Sequence, residues 1–169
     1  MFSLFLIGIY FVLSEACTTY NFEDRYSDDF TNQRGLCDGQ PMWLLRNYTE
    51  IEVERPHELS EKFISPNPSI SCVASFLFEV TANGTIEINV YMETSNLNDQ
   101  ISIMANEVRT NDDDATVGHV LLGPRFTPDF TSGWHLLQLT LTGSGTYTGY
   151  VSILRLSINI YEAARGRVA

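Results

Sequence analysis

The chain has 169 residues, of which 44% are hydrophobic and 18% charged. That is length for one ordinary domain, and the balance suits a folded globule rather than a disordered tail. Acidic residues outnumber basic ones 21 to 10, for a formal charge of −11, and Lys62 is the one lysine; little here would displace counterions from nucleic-acid phosphates or seek an anionic lipid surface.

Residues 2–13 form an almost unbroken apolar run. The run is too short for a membrane span, which needs about 20 residues. Small residues follow at Ser14 and Ala16, placed for a cut before Cys17. This predicts a secretory signal peptide over residues 1–16 and an extracellular destination. A second long apolar run is lacking, so the expected mature chain has no transmembrane segment. Two N-glycosylation sequons, Asn47-Tyr48-Thr49 and Asn83-Gly84-Thr85, agree with secretion. The three cysteines are Cys17, Cys37 and Cys72. In an oxidising compartment they predict a disulfide and one thiol left over, and the count alone leaves every pairing open.

From Met42 to Val53 apolar and polar residues mix, with strands expected around Trp43–Leu45 and Ile51–Val53. His57 to Phe63 allows a helical turn at most, and Pro56, Pro66 and Pro68 mark loops or strand starts. Residues 72–80 alternate, which places Cys72, Ala74, Phe76, Phe78 and Val80 on one face, with Phe76 and Phe78 expected in the core. Residues 85–92 put Ile86, Ile88, Val90 and Met92 inside and Glu87 and Asn89 outside. Asn83-Gly84 lies between the two runs and predicts a hairpin with a type I′ turn.

Further strands follow at Ile101–Ala105, at Val120–Leu122 before Gly123-Pro124, and through Leu137, Leu139 and Leu141. Gly143-Ser144-Gly145 breaks the chain before a last apolar run from Tyr150. In that run Val151 and Ile153 share one parity and Leu154, Leu156, Ile158 and Ile160 the other, which predicts a bulge or a junction at residue 154. Many short alternating segments without intervening helices predict an all-β fold, an antiparallel sandwich or barrel.

Catalytic signatures are sparse. The histidines His57, His119 and His135 stand far apart and carry no metal-ligand spacing. Gly143-Ser144-Gly145 is a turn and not a nucleophile elbow, and phosphate-binding glycine motifs are missing. Acidic clusters at Asp28-Asp29 and Asp112-Asp113-Asp114 read as solvated turns, since calcium needs six to eight converging oxygens. Trp134 is expected in the core.

One ordered series is more specific than any of these motifs. Cys17 precedes Asn21-Phe22-Glu23-Asp24; then come Gly35-Leu36-Cys37, Trp43, Ile64-Ser65-Pro66 and Cys72-Val73-Ala74-Ser75-Phe76-Leu77-Phe78. Gly84-Thr85-Ile86-Glu87-Ile88-Asn89-Val90, Gly133-Trp134-His135 and Tyr147 to Ile153 complete it. Over residues 17–153 the chain resembles a MAM domain, the extracellular jelly-roll module of adhesion receptors, phosphatases and metalloproteases. The resemblance implies an antiparallel jelly-roll β-sandwich. It implies a Cys17–Cys37 disulfide and leaves Cys72 a free thiol, because the family's fourth cysteine is lacking; a Cys37–Cys72 bridge would contradict it. Residues 154–169 lack the family's Asp pair and form an atypical C-terminal strand and tail. Glu23 and Asp24 match the acidic residues that hold calcium in some members, without the later partners.

Together these readings predict a secreted, non-catalytic binding or adhesion module whose partner is an extracellular protein. A carbohydrate-binding jelly roll is the alternative; a hydrolase or a matrix component ranks lower.

Overall fold

The computed structural model describes residues 22–67, 70–110 and 113–156. Residues 1–16, expected to be a signal peptide, lie outside the described residues, as do Cys17, Asp112 and the tail beyond Leu156. The described elements, in order, are a single helical turn α1 (Tyr26–Asp29) and the strands β1 (Phe30–Thr31), β2 (Leu44–Asn47), β3 (Lys62–Ser65), β4 (Ser71–Ser75), β5 (Phe78–Thr81), β6 (Thr85–Met92), β7 (Gln100–Glu107), β8 (Ala115–Leu122), β9 (Gly133–Thr140) and β10 (Thr146–Leu156). Short 3-10 turns at Gly35–Cys37 and Tyr48–Glu50 complete them. The fold is all-β, and every strand pair is antiparallel.

The largest sheet has six strands in the order β1-β4-β10-β7-β8, with β5 also paired to β10. β2 pairs with β3 and β6 with β9 in two further sheets. Val73, Val80, Ile101, Ile103, Ala105, Val117, Leu122, Val151 and Ile153 of the large sheet share one core with Met92 and Leu139, and Ile64, Ile86, Ile88, Val90 and Leu137 pack against it. The β6–β9 sheet thus buries its apolar face against the large one, as period-two strands require of a partner layer; the β2–β3 sheet contributes Ile64 alone, and β2 is exposed along its length.

β10 explains the phase slip at residue 154. It pairs with β7 in unbroken register from Gly149 to Leu156, so the strand carries no bulge there. Val151 and Ile153 face the main core, while Leu154 packs on the opposite face with Cys37, Cys72, Ala74 and Tyr150. A central strand covered on both faces is apolar at both parities. The register shift falls instead between β7 and β8, where Val117 is the extra residue opposite Ala105 and Asn106.

The run from 72 to 80 is two strands. Phe76 and Leu77 are exposed where β4 passes into β5, and the alternation reverses across them. Val73 joins Phe78 and Val80 at the main core, while Cys72 and Ala74 lie on the other face. Phe76 is therefore not the core residue that continuous alternation predicts. The turn at Asn83 is present, with Asn83 at φ 65° and Gly84 N–H donating to Thr81 O at 3.1 Å. It does not close a hairpin: β5 pairs with β10 and β6 with β9, so the turn carries the chain from one sheet to another. Ile51–Val53 is not a strand, and β3 occupies a stretch expected in part to be a helical turn.

The disulfide joins Cys37 to Cys72, 35 residues apart in sequence with Cα atoms 5.0 Å apart. The expected Cys17–Cys37 pairing is thus overturned, and Cys72 is not a free thiol. The local cause is β4: Cys72 N–H donates to Pro41 O at 2.9 Å, which lays the segment after Cys37 along the strand and brings the two Cβ atoms within bridging reach. Both half-cystines are fully buried beside Tyr150. Gly35 makes room for that ring; it adopts φ +53°, and a Cβ there would stand 2.2 Å from Tyr150 Oη. Tyr150 Oη donates to Asp114 at 2.8 Å. Burial first, then Asp114, pushes the phenol up to about 12, with Arg34 acting against the shift.

On the same face, polar groups are matched across three strands. Thr116 Oγ1 donates to Asn106 Oδ1 at 3.2 Å, and Asn106 Nδ2 donates to Ser152 Oγ at 3.2 Å. Buried Asn106 is thereby satisfied, as a buried amide must be.

Candidate functional site

A cleft of about 1510 Å³ is lined by β6, β3 and the large sheet, including its strand β5. Its apolar lining follows from alternation. Ile86, Ile88 and Val90 of β6 face inward toward Val80, Val151 and Ile153. Aromatic residues line it as well. Tyr91 and Trp134 are register partners on β6 and β9, with ring centroids 5.4 Å apart edge to face. Tyr48 lies 6.4 Å from Trp134 and 4.9 Å from Phe63. Trp134 Nε1 donates to Glu54 O at 2.8 Å, which fixes the indole against the loop after β2. Trp134 is half-buried among these rings and lines the cleft, rather than lying in the main core.

Trp43 stands in the same wall. It is 6% exposed, and its indole N–H has no hydrogen-bond partner among the described residues. An unsatisfied buried donor costs the folded chain about 1–3 kcal/mol. The Trp43 carbonyl takes the Tyr26 hydroxyl at 2.6 Å, and burial pushes that phenol up to about 12. The strand expected around Trp43–Leu45 begins one residue later, at Leu44, and the burial of Trp43 was not legible because the residues around it come from distant segments.

β6 forms one border of the cleft. Leu141 N–H donates to Gly84 O at 2.9 Å, and β6 continues in register with β9 from Thr85 to Met92. In an antiparallel ladder, bonded positions alternate. Ile86, Ile88, Val90 and Met92 therefore bond to β9, while Thr85, Glu87, Asn89 and Tyr91 turn their N–H and C=O groups the other way. Among the described residues no strand pairs with that outer edge. The β3 side of the cleft is partly capped: Glu23 Oε1 accepts the N–H groups of Glu61 and Lys62 at 2.9 and 3.1 Å, and Lys62 Nζ donates to the Glu23 carbonyl. Glu79, Glu87 and Glu93 line the cleft against Lys62 and Arg155, so its border is net acidic.

The remaining predicted residues are placed as follows. Glu23 serves as the cap just described, and Asp24 is exposed. Among the described residues no group of three or more His, Cys, Asp or Glu converges on a metal-sized site. Asn47 is exposed at the end of β2 and donates through Nδ2 to Glu50 Oε1 at 3.1 Å. This contact and the Asn47 N–H hold the Glu50 carboxyl below its usual range. Asn83 is exposed at the turn that borders the cleft. Asp29 pairs with Arg25 at 3.4 Å.

Each histidine has a local partner. His57 Nδ1 accepts from Leu59 N–H at 3.1 Å, and His135 stacks on Phe130 at 5.2 Å. His119 Nε2 lies 2.9 Å from Ser102 Oγ. A serine nucleophile needs an orienting acid behind the histidine and a pocket in front of the hydroxyl. Ser102 is 5% exposed, neither residue lines the cleft, and no carboxylate hydrogen-bonds His119 among the described residues. A smaller polar hollow of about 550 Å³ adjoins the cleft at Glu93, Thr94 and Asp99 and reaches Ser132. Thr94 and Asn96 hold the Asp99 carboxylate there at 2.7 and 3.3 Å.

Among the described residues no helix is long and apolar enough to cross a membrane. No protein-family model, curated protein or solved structure matches the chain.

Proposed function

We propose that the chain is a secreted, glycosylated β-sandwich of the jelly-roll type that binds an extracellular protein through the cleft beside β6, without bond chemistry. In this reading β2–β3 and β6–β9 together form the layer opposite the six-stranded sheet. Three features support it. The disulfide suits an oxidising compartment. Both sequon asparagines are exposed. The cleft is apolar with tryptophan and tyrosine in its walls, the residue types that dominate protein-binding energetics. The observation that carries the proposal is the aromatic group of Tyr48, Tyr91 and Trp134, gathered from three separate segments into the cleft wall. Because the disulfide is not the one the MAM resemblance implies, the reading rests on the cleft rather than on that resemblance.

The test is binding of the fluorescently labelled chain to intact cells. Saturable binding that is lost when the cells are treated with protease, and reduced by Trp134→Ala with the circular dichroism spectrum unchanged, is the expected result. Binding that survives protease and disappears with glycosidase would establish the carbohydrate reading instead. No saturable binding to a panel of cell types would overturn the proposal.

A further inference from the structure

We infer that the cleft takes an extended, cationic segment of a partner protein, which adds as a strand to the outer edge of β6. The inference rests on the binding function proposed above and names its mode and the chemistry of the partner.

β6 has eight residues, twice the length of β2 or β3, and pairs on one side only among the described residues. Long open edges are usually blunted by proline, lysine or a bulge. β6 contains none of these, and its one charge, Glu87, is held on the outer face by Gln138 at 2.7 Å. The outer-edge groups of Thr85, Glu87, Asn89 and Tyr91 form a ready template for main-chain pairing. An added strand would alternate: its inward side chains meet Val80, Val151 and Ile153, and its outward ones stand beside Glu87 and Tyr91. Apolar residues suit the first set and cationic residues the second. The net-acidic border and the charge of −11 on the whole chain favour the same sign of partner and disfavour a second copy of this chain.

The probe is a synthetic peptide of the length of β6 that alternates valine with lysine or threonine; a control replaces each lysine with glutamate. Trp43 and Trp134, both in the cleft wall, report binding through their emission. The lysine peptide is expected to bind saturably, and the glutamate peptide at least about tenfold more weakly. Asn89→Pro removes an N–H that points away from β9, so it spares the β6–β9 ladder while blocking addition; affinity is expected to fall by at least about tenfold. Should that variant fail to fold, Glu87→Lys is read instead, and it is expected to narrow the preference for the lysine peptide by at least about threefold; an unchanged preference overturns the inference.

Equal binding of both peptides, or full affinity in a folded Asn89→Pro chain, overturns the inference. So does protection of the Thr85, Glu87, Asn89 and Tyr91 amides in the free chain, which would mean that the edge is filled from within the chain. Self-association abolished by Asn89→Pro would overturn it in favour of a dimer. If cells bind the chain but Asn89→Pro leaves that binding intact, strand addition fails and the binding function stands; if peptides bind but cells do not, the reverse holds.

Discussion

Replacing both bridge cysteines, Cys37→Ala with Cys72→Ala, tests the topology where it departs most from local sequence signals. The bridge spans 35 residues. In the chain-entropy treatment a loop of that length removes about 13 cal/mol/K from the unfolded ensemble, or about 4 kcal/mol at room temperature. Both half-cystines are fully buried, so the lost sulfur contacts add to this figure. With a urea dependence of about 2 kcal/mol/M, the unfolding midpoint should fall by about 2 M. Equilibrium urea unfolding, followed by circular dichroism, measures the shift, and non-reducing peptide mapping of the parent chain identifies the bridge. A loss below about 1 kcal/mol would refute the reasoning, and a mapped Cys17–Cys37 peptide would refute the topology of β4.

Other outcomes follow from single side chains. Leu122→Ala, at a fully buried position, should cost about 2–5 kcal/mol, whereas Leu136→Ala, at a position 57% exposed, should stay within about 0.5 kcal/mol in the same urea assay. Tyr26 and Tyr150, both pushed by burial from the ordinary phenol value of 10 up to about 12, should ionise last in a spectrophotometric alkaline titration. Because the folded state holds those protons more tightly, their contribution to stability is full below pH 10 and is lost as pH rises from 10 through about 12. In a secretory host, Thr49→Ala and Thr85→Ala should each remove one endoglycosidase-sensitive step in mass, since each destroys one sequon with an exposed asparagine.

Much of the strand content was legible because one buried face writes itself into the sequence with period two. β6 and β7 show this plainly, in Ile86-x-Ile88-x-Val90 and Ile101-x-Ile103-x-Ala105. Two features were legible but misassigned. The last apolar run looked dislocated at Leu154 because β10 is central and the turn carrying Cys37 packs on its second face, an arrival that no local pattern announces. Asn83-Gly84 marked a turn correctly, yet a turn does not say which strands pair: β5 and β6 separate there to join β10 and β9.

β3 was not legible. Its four residues Lys-Phe-Ile-Ser are all half-buried, so no strict alternation marks them. The disulfide and the cleft share one cause of illegibility. Each depends on which distant segments meet, and a cleft bordered by a strand edge is built from main-chain groups that every residue possesses. Its side chains still left a trace, since Tyr91 and Trp134 oppose one another at a single register pair.

The most direct measurement is residue-resolved amide exchange along β6 in the free chain. Ile86, Ile88 and Val90, bonded to β9, should exchange slowly, while Thr85, Glu87, Asn89 and Tyr91, turned toward the cleft, should exchange rapidly. Uniform protection along the strand, or the opposite alternation, would contradict an open edge and with it the site on which the proposed binding depends.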